Sequence, residues 1–189
     1  IRELSSGPAN PLVLMYLASH VSGKLSEKDL IERLALIENY LVRLILSNEP
    51  LSPLRSKMME ICSYLQERID EMSLREAFSK NGWVGNHALE RDFAKRTMYE
   101  EVGPSALGAI FRGIEIQMSG SGANKFHVAK DEYTIEHIYP RKSGKWENDL
   151  SNWKTNTKRM ANYLDTLGNL TVVTQEHNSK VGNKPLADK

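Results

Sequence analysis

Leu30, Leu34, Ile37, Leu41, Leu44 and Ile45 fall at three- and four-residue intervals, and this spacing constrains the fold more than any other feature of the chain. An α-helix turns once every 3.6 residues, so these six side chains line one apolar stripe that must be buried against something. Ser26 followed by Asp29 supplies a start resembling a capping box. After Pro50 and Pro53 the pattern resumes, with Met58, Ile61, Leu65 and Ile69 on one face and Glu60, Glu67, Arg68 and Asp70 on the other. Ser73 with Glu76, and Asn86 with Glu90, mark two further helix starts, and Gly103-Pro104-Ser105 opens one that runs through Ile116. Met15, Met58, Met59, Met72 and Met98 sit in these stripes and are expected as core filler. Residues 1–118 therefore read as a helical region, and the fold class as mainly α.

The texture then changes. Ser119-Gly120-Ser121-Gly122-Ala123-Asn124 opens a small, polar stretch, so that 119–130 reads as a flexible connection and 131–189 as a separate unit. Tyr133 to Tyr139 is β-branched and aromatic, ends at Pro140, and predicts a short strand. Gly168-Asn169 introduces a second, Leu170-Thr171-Val172-Val173-Thr174, followed by a helix from Gln175 to Val181 that stops near Gly182. Counting this unit, the class becomes α+β. Between the strands lies a long polar stretch in which Trp146 and Trp153 are expected to pack the insertion rather than stack on bases.

Composition narrows the setting. With 189 residues the chain is long enough for one domain, or one domain with a small appendage, and 40% hydrophobic with 26% charged residues is ordinary for a globular protein. Cys62 is the only cysteine, which excludes a disulfide framework and a zinc cluster of cysteines, and fits a reducing, cytoplasmic location. No apolar run approaches the roughly 18 residues needed to span a bilayer, so no membrane partner is expected. The chain begins at Ile1 without a methionine and reads as a fragment of a longer protein. The net charge of +1 says little, but from Arg141 to Met160 six basic residues face only Glu147 and Asp149, a local excess that on charge alone reads first as a solvated basic surface and second as a site able to attract phosphate.

Hydrolysing a phosphodiester requires an activated water, a cation for the charge developing on the leaving 3′-oxygen, and groups that hold the base in place. Glu136-His137 can contribute to this, although neighbours on an extended strand point to opposite faces, so that a turn or twist is needed to bring both to one reaction. Glu136-His137-Ile138-x-Pro140, then Leu167-Gly168-Asn169-Leu170-Thr171, then His177-Asn178-Ser179-Lys180-x-Gly182-Asn183 and a final Pro185 to Lys189 together resemble the HNH, or His-Me finger, nuclease motif. More narrowly they resemble the C-terminal nuclease domain of GmrSD-type modification-dependent restriction endonucleases and of SspE-like defence nucleases. The motifs span roughly Tyr133 to Lys189, and the helical part resembles that group around Ile37-Glu38-Asn39-Tyr40-Leu41-Val42-Arg43.

The resemblance implies a ββα-metal unit that cleaves DNA, nicking one strand per site, in the setting of restriction or antiviral defence. His137 matches the general base, and Asn169 the residue that pins the loop carrying it. Glu136 and Asn178 match ligands of a divalent cation, Mg²⁺ or Mn²⁺, for which hard oxygen donors are suited. Lys180 and Lys184, with Arg141 and Lys142 of the basic segment, are the expected contacts to substrate phosphates. Many HNH proteins have Asp where Glu136 stands and His where Asn178 stands, which puts metal affinity in question. His177 adjoins Asn178 and offers a neighbouring register; the run from Ser179 to Asn183 favours Asn178. In such families recognition and nucleotide hydrolysis belong to an upstream sensor or NTPase domain. Competing readings are a catalytically silent DNA-binding or interaction module and an RNA-cleaving toxin built on the same finger.

Overall fold

The computed structural model describes residues 7–47, 49–50, 52–66, 68–119, 133–142, 146–182 and 184–185. Its backbone falls into two compact units, 1–92 and 93–189. The described residues are mostly helical, with one two-stranded antiparallel sheet. Among them no helix is long and apolar enough to cross a membrane. Most of the connection expected at 119–130 lies outside the described residues.

The first unit is built by α1 (Asn10–Val21), α2 (Glu27–Leu46), α3 (Leu54–Leu65), α4 (Glu71–Lys80) and most of α5 (Asn86–Phe93). Ser26 caps α2 as its position predicts, its hydroxyl oxygen accepting from Asp29 N at 3.1 Å. Leu30, Ile37, Leu41, Leu44 and Ile45 of the stripe are buried. Leu12, Tyr16, Met58, Ile61, Leu65, Leu74 and Phe78 are fully buried in the same unit, where α2 packs on α1 and α4, and burying an apolar side chain stabilises by roughly 1.5–3 kcal/mol. Tyr40 lies over Phe78 with ring centroids 4.2 Å apart, and its hydroxyl donates to Asn81 O at 2.7 Å.

Two helix boundaries differ from expectation. The second stripe was expected to run through Ile69, but α3 ends at Leu65, where Gln66 adopts a left-handed φ of 36°. Asp70, not Ser73, caps the next helix: its carboxylate accepts from Ser73 N at 2.9 Å and from the Ser73 hydroxyl at 2.7 Å. A carboxylate at that position also suits the positive end of the helix, which is why the acidic residue prevails over the serine three places on. Met58 and Met98 fill cores as expected, whereas Met59 and Met72 are exposed.

The second unit contains α6 (Met98–Glu101), α7 (Pro104–Ser119), β1 (Tyr133–His137), α8 (Glu147–Asn152), α9 (Thr157–Ala161), β2 (Leu170–Thr174) and α10 (Gln175–Val181). β1 and β2 pair antiparallel from Tyr133 opposite Thr174 to His137 opposite Leu170. Two strands alone are marginal in water, and here both α7 and α10 pack on both of them. Thr174 closes β2 and caps α10, its side chain accepting from His177 N at 3.1 Å. Gly182, at φ 45°, ends that helix with a backbone conformation that L side chains rarely adopt.

The excursion between the strands was read only as a polar stretch, yet it folds into α8 and α9. Trp146, completely buried, forms with Tyr139 and Leu150 a small core that Met160 and Leu164 join. The rings of Tyr139 and Trp146 meet edge to face at 5.6 Å. Trp153 leans on Trp146 at 5.7 Å but keeps 42% of its surface exposed, so the two tryptophans expected to pack do so unequally.

Candidate nucleic-acid cleavage site

Residues on a strand alternate between its faces, so Tyr133, Ile135 and His137 share one side of β1 while Thr134 and Glu136 share the other. The ladder continues without interruption through His137. No turn intervenes between Glu136 and His137, and the bend comes afterwards, at Ile138 and Tyr139. The two residues therefore lie on opposite faces of the hairpin at its end.

On one face is His137, buried beside Ile135. Its Nε2 and Asp165 Oδ1 are 2.8 Å apart. The same oxygen accepts from Arg141 Nη2 at 2.9 Å, and that nitrogen also donates to Glu100 Oε1 at 3.0 Å. Tyr99 completes the group: its ring is 4.6 Å from the imidazole, and the Arg141 guanidinium lies 5.1 Å above it. The Asp165 main chain is anchored as well, its carbonyl accepting from Met98 N at 2.7 Å and Tyr99 N at 3.2 Å. Burial pushes the Asp165 carboxyl up, but the hydrogen bonds from His137 and Arg141 and the Arg141 charge outweigh it and hold the group below the ordinary aspartate range.

Asn169 secures the backbone immediately after His137. Its Oδ1 accepts from Tyr139 N at 2.8 Å, and its Nδ2 donates to Tyr139 O at 3.0 Å and to Leu164 O at 2.7 Å. Its main-chain carbonyl accepts from Ile138 N at 2.8 Å. A buried primary amide offers two donors and one acceptor group, and this one uses all of them to tie the start and the end of the excursion to β2.

On the other face Asn178, half-buried on α10, donates from Nδ2 to Thr134 Oγ1 at 3.1 Å, which places it over the strand side that carries Glu136. His177, its neighbour, is exposed. Glu136 is half-buried, and no described residue makes a hydrogen bond or ion pair to its carboxylate. A carboxylate and an amide on one side of the hairpin form a sparse set of hard oxygen donors. That suits a small divalent cation that keeps much of its water, although among the described residues no group of three or more His, Cys, Asp or Glu side chains gathers to hold a metal.

Of the four expected phosphate contacts, two are already engaged: Arg141 by Asp165 and Glu100, and Lys180 by Glu176 at 2.6 Å. Lys142 and Lys184 are exposed, with no partner among the described residues. Asp165, Tyr99 and Glu100 are additions that motif reading missed. Asp165 stands four residues before Asn169, between the basic segment that ends at Met160 and the motif that begins at Leu167. Tyr99 and Glu100 lay in the stretch read as a helical region without chemistry.

Comparison with known proteins bears on the same segment. Residues 83–189, more than half of the chain and all of the second unit, match the family described as GmrSD restriction endonucleases, C-terminal domain. No curated protein and no solved structure gives a significant match. The segment holding His137, Asp165, Asn169 and Asn178 lies wholly inside that match, and the chain belongs to the family of GmrSD restriction endonuclease C-terminal domains.

Proposed function

We propose that the second unit is an HNH-type endonuclease that hydrolyses DNA phosphodiesters and nicks one strand per site, as the effector part of a restriction or antiviral defence protein in the cytoplasm. The observation that carries this reading is the placement of His137: a buried imidazole at a strand end, bonded to a carboxylate and followed by backbone that Asn169 grips on both sides. His137 acts as the general base toward a water. Asn169 keeps the segment from Ile138 to Tyr139 in place, so the imidazole does not swing with the excursion.

Glu136 and Asn178 are the residues that would hold Mg²⁺ or Mn²⁺, in what amounts to a ββα-metal arrangement of β1, β2 and α10. Such a cation supplies stabilisation of the charge that develops on the leaving 3′-oxygen. Lys142 and Lys184 attract the DNA backbone, and Lys180 can do so once it leaves Glu176. Recognition of particular DNA falls to a sensor or NTPase domain upstream in the full-length protein.

The test is supercoiled plasmid with the purified chain and Mg²⁺ or Mn²⁺. Open circles should accumulate, and His137→Ala should abolish them while DNA binding and the melting profile persist. Equal nicking by wild type and variant would remove His137 from the chemistry. Cleavage of RNA in preference to plasmid would point to the toxin reading, and binding without cleavage of either to the silent module.

A further inference from the structure

The excursion between the strands carries a surface chemistry of its own. From Leu150 to Leu164 the only charged residues are Lys154, Lys158 and Arg159, and all three are exposed. Among the described residues no ion pair or hydrogen bond engages their side chains. The acids that flank this stretch in sequence are Asp149 on α8 and Asp165, and Asp165 is already bonded to His137 and Arg141. Met160 packs onto the core of Tyr139 and Trp146, which puts Lys158, two residues before it, on the opposite side of α9. Lys154 follows α8 with φ 52°, a left-handed conformation that glycine ordinarily supplies just past a helix.

Two aromatic rings stand on the same stretch. Trp153 is 42% exposed and Tyr163 45%. The Trp153 indole rests against buried Trp146 at 5.7 Å, so it is held in place while much of its surface faces solvent. Tyr163 stands two residues before Asp165, the partner of His137, and two residues of chain span at most about 7 Å. Cations alone would neutralise the phosphates of any nucleic acid. The rings discriminate further: in a duplex the bases are stacked on one another and show only their edges in the grooves, whereas an unpaired base offers its face.

Resting on the reading of the second unit as a DNA nuclease, we propose that this excursion is a docking surface for single-stranded DNA. Trp153 and Tyr163 stack on unpaired bases, and Lys154, Lys158 and Arg159 neutralise the phosphates between them. The substrate reaches His137 as an opened stretch rather than as closed duplex. Negative supercoiling favours strand opening, so a supercoiled plasmid presents such stretches.

Binding is measured on the whole chain in EDTA, so that nothing is cut, with an oligothymidylate about twelve nucleotides long and the same strand paired to oligoadenylate. The indole N–H resonance of Trp153 should shift on adding the single strand, with that of Trp83 unmoved. Trp153→Ala should weaken single-strand binding by about 5- to 150-fold, the range for losing one base–aromatic stack, and duplex binding by much less. Lys158→Gln together with Arg159→Gln should flatten the slope of log affinity against log salt by about 1.4 for the single strand. An unmoved Trp153 resonance overturns the proposal without any variant having to fold. Duplex bound as tightly as single strand, with Trp153→Ala weakening both alike, leaves a basic surface only and overturns it as well. Tighter binding of an oligouridylate than of the oligothymidylate assigns the surface to RNA and overturns its assignment to DNA. Single-strand binding as expected, by a chain that nicks no plasmid in Mg²⁺ or Mn²⁺, removes the nuclease reading and leaves the docking surface standing.

Discussion

Replacing Asn169 with alanine should cost more stability than any other single change at the site, and the size of the loss follows from its hydrogen bonds. The substitution removes the acceptor of Tyr139 N and the donors to Tyr139 O and Leu164 O, which lie at 2.7–3.0 Å in the native chain. The two Tyr139 groups are buried, and each buried group left without a partner costs about 1–3 kcal/mol. The partly exposed contact to Leu164 adds less, so the expected loss is about 3–5 kcal/mol, a large share of the roughly 5–15 kcal/mol that holds a typical domain. At about 4 °C or more per kcal/mol for a unit of this size, the transition of the second unit should fall by at least about 12 °C. Hydrogen exchange localises the effect: the Tyr139 amide should lose protection, while the Ile138 amide, bonded to the Asn169 main chain, should keep more of it. Asn178→Ala, which gives up one partly buried bond to Thr134, should cost only about 1 kcal/mol. A loss below about 1 kcal/mol for Asn169→Ala, or an unchanged Tyr139 amide, would refute the assignment of Asn169 as the clasp of this segment.

Ser26→Ala should destabilise the first unit by about 1 kcal/mol in urea denaturation, because it removes the acceptor of Asp29 N at the head of α2; no shift in midpoint would show that the cap is dispensable. The depressed pKa of Asp165 makes its contribution to stability present above the unfolded aspartate value of about 3.9 and lost as the pH falls through the lower folded value. Acid titration of the second unit should thus be shallower below about pH 4 in Asp165→Asn than in wild type, and superimposable curves would contradict the ion pairing seen with Arg141.

Much of this molecule could be read from local patterns, and the exceptions share a cause. The α2 stripe, the Ser26 cap, β2, and α10 with its stop at Gly182 all rest on interactions within a few residues, so propensity and spacing describe them well. The overextended reading of α3 came from Ile69, whose apolar side chain fits the period although Gln66 breaks the backbone before it. Asn169 was identified through its motif, but its partners Tyr139 and Leu164 follow only from tertiary structure. Asp165 and Arg141, 24 residues apart, meet because Met98 and Tyr99 anchor the aspartate backbone, an arrangement without a sequence period. The helices of the excursion were missed because a short helix packed on one tryptophan needs few apolar residues.

The grip of Asn169 on both Tyr139 and Leu164 makes the chain between them a closed cassette. It leaves and rejoins the unit at a single clasp, so that beyond Arg141, which bonds Asp165, its length and content are separable from the geometry of His137 behind it. Doubling such a loop adds only about 0.6 kcal/mol of closure entropy. A homologous or designed segment could be exchanged between Lys142 and Tyr163, with Trp153, Lys154, Lys158 and Arg159 replaced wholesale, as a way of altering which substrates are approached while Arg141 keeps its bonds to Asp165 and Glu100 beside His137.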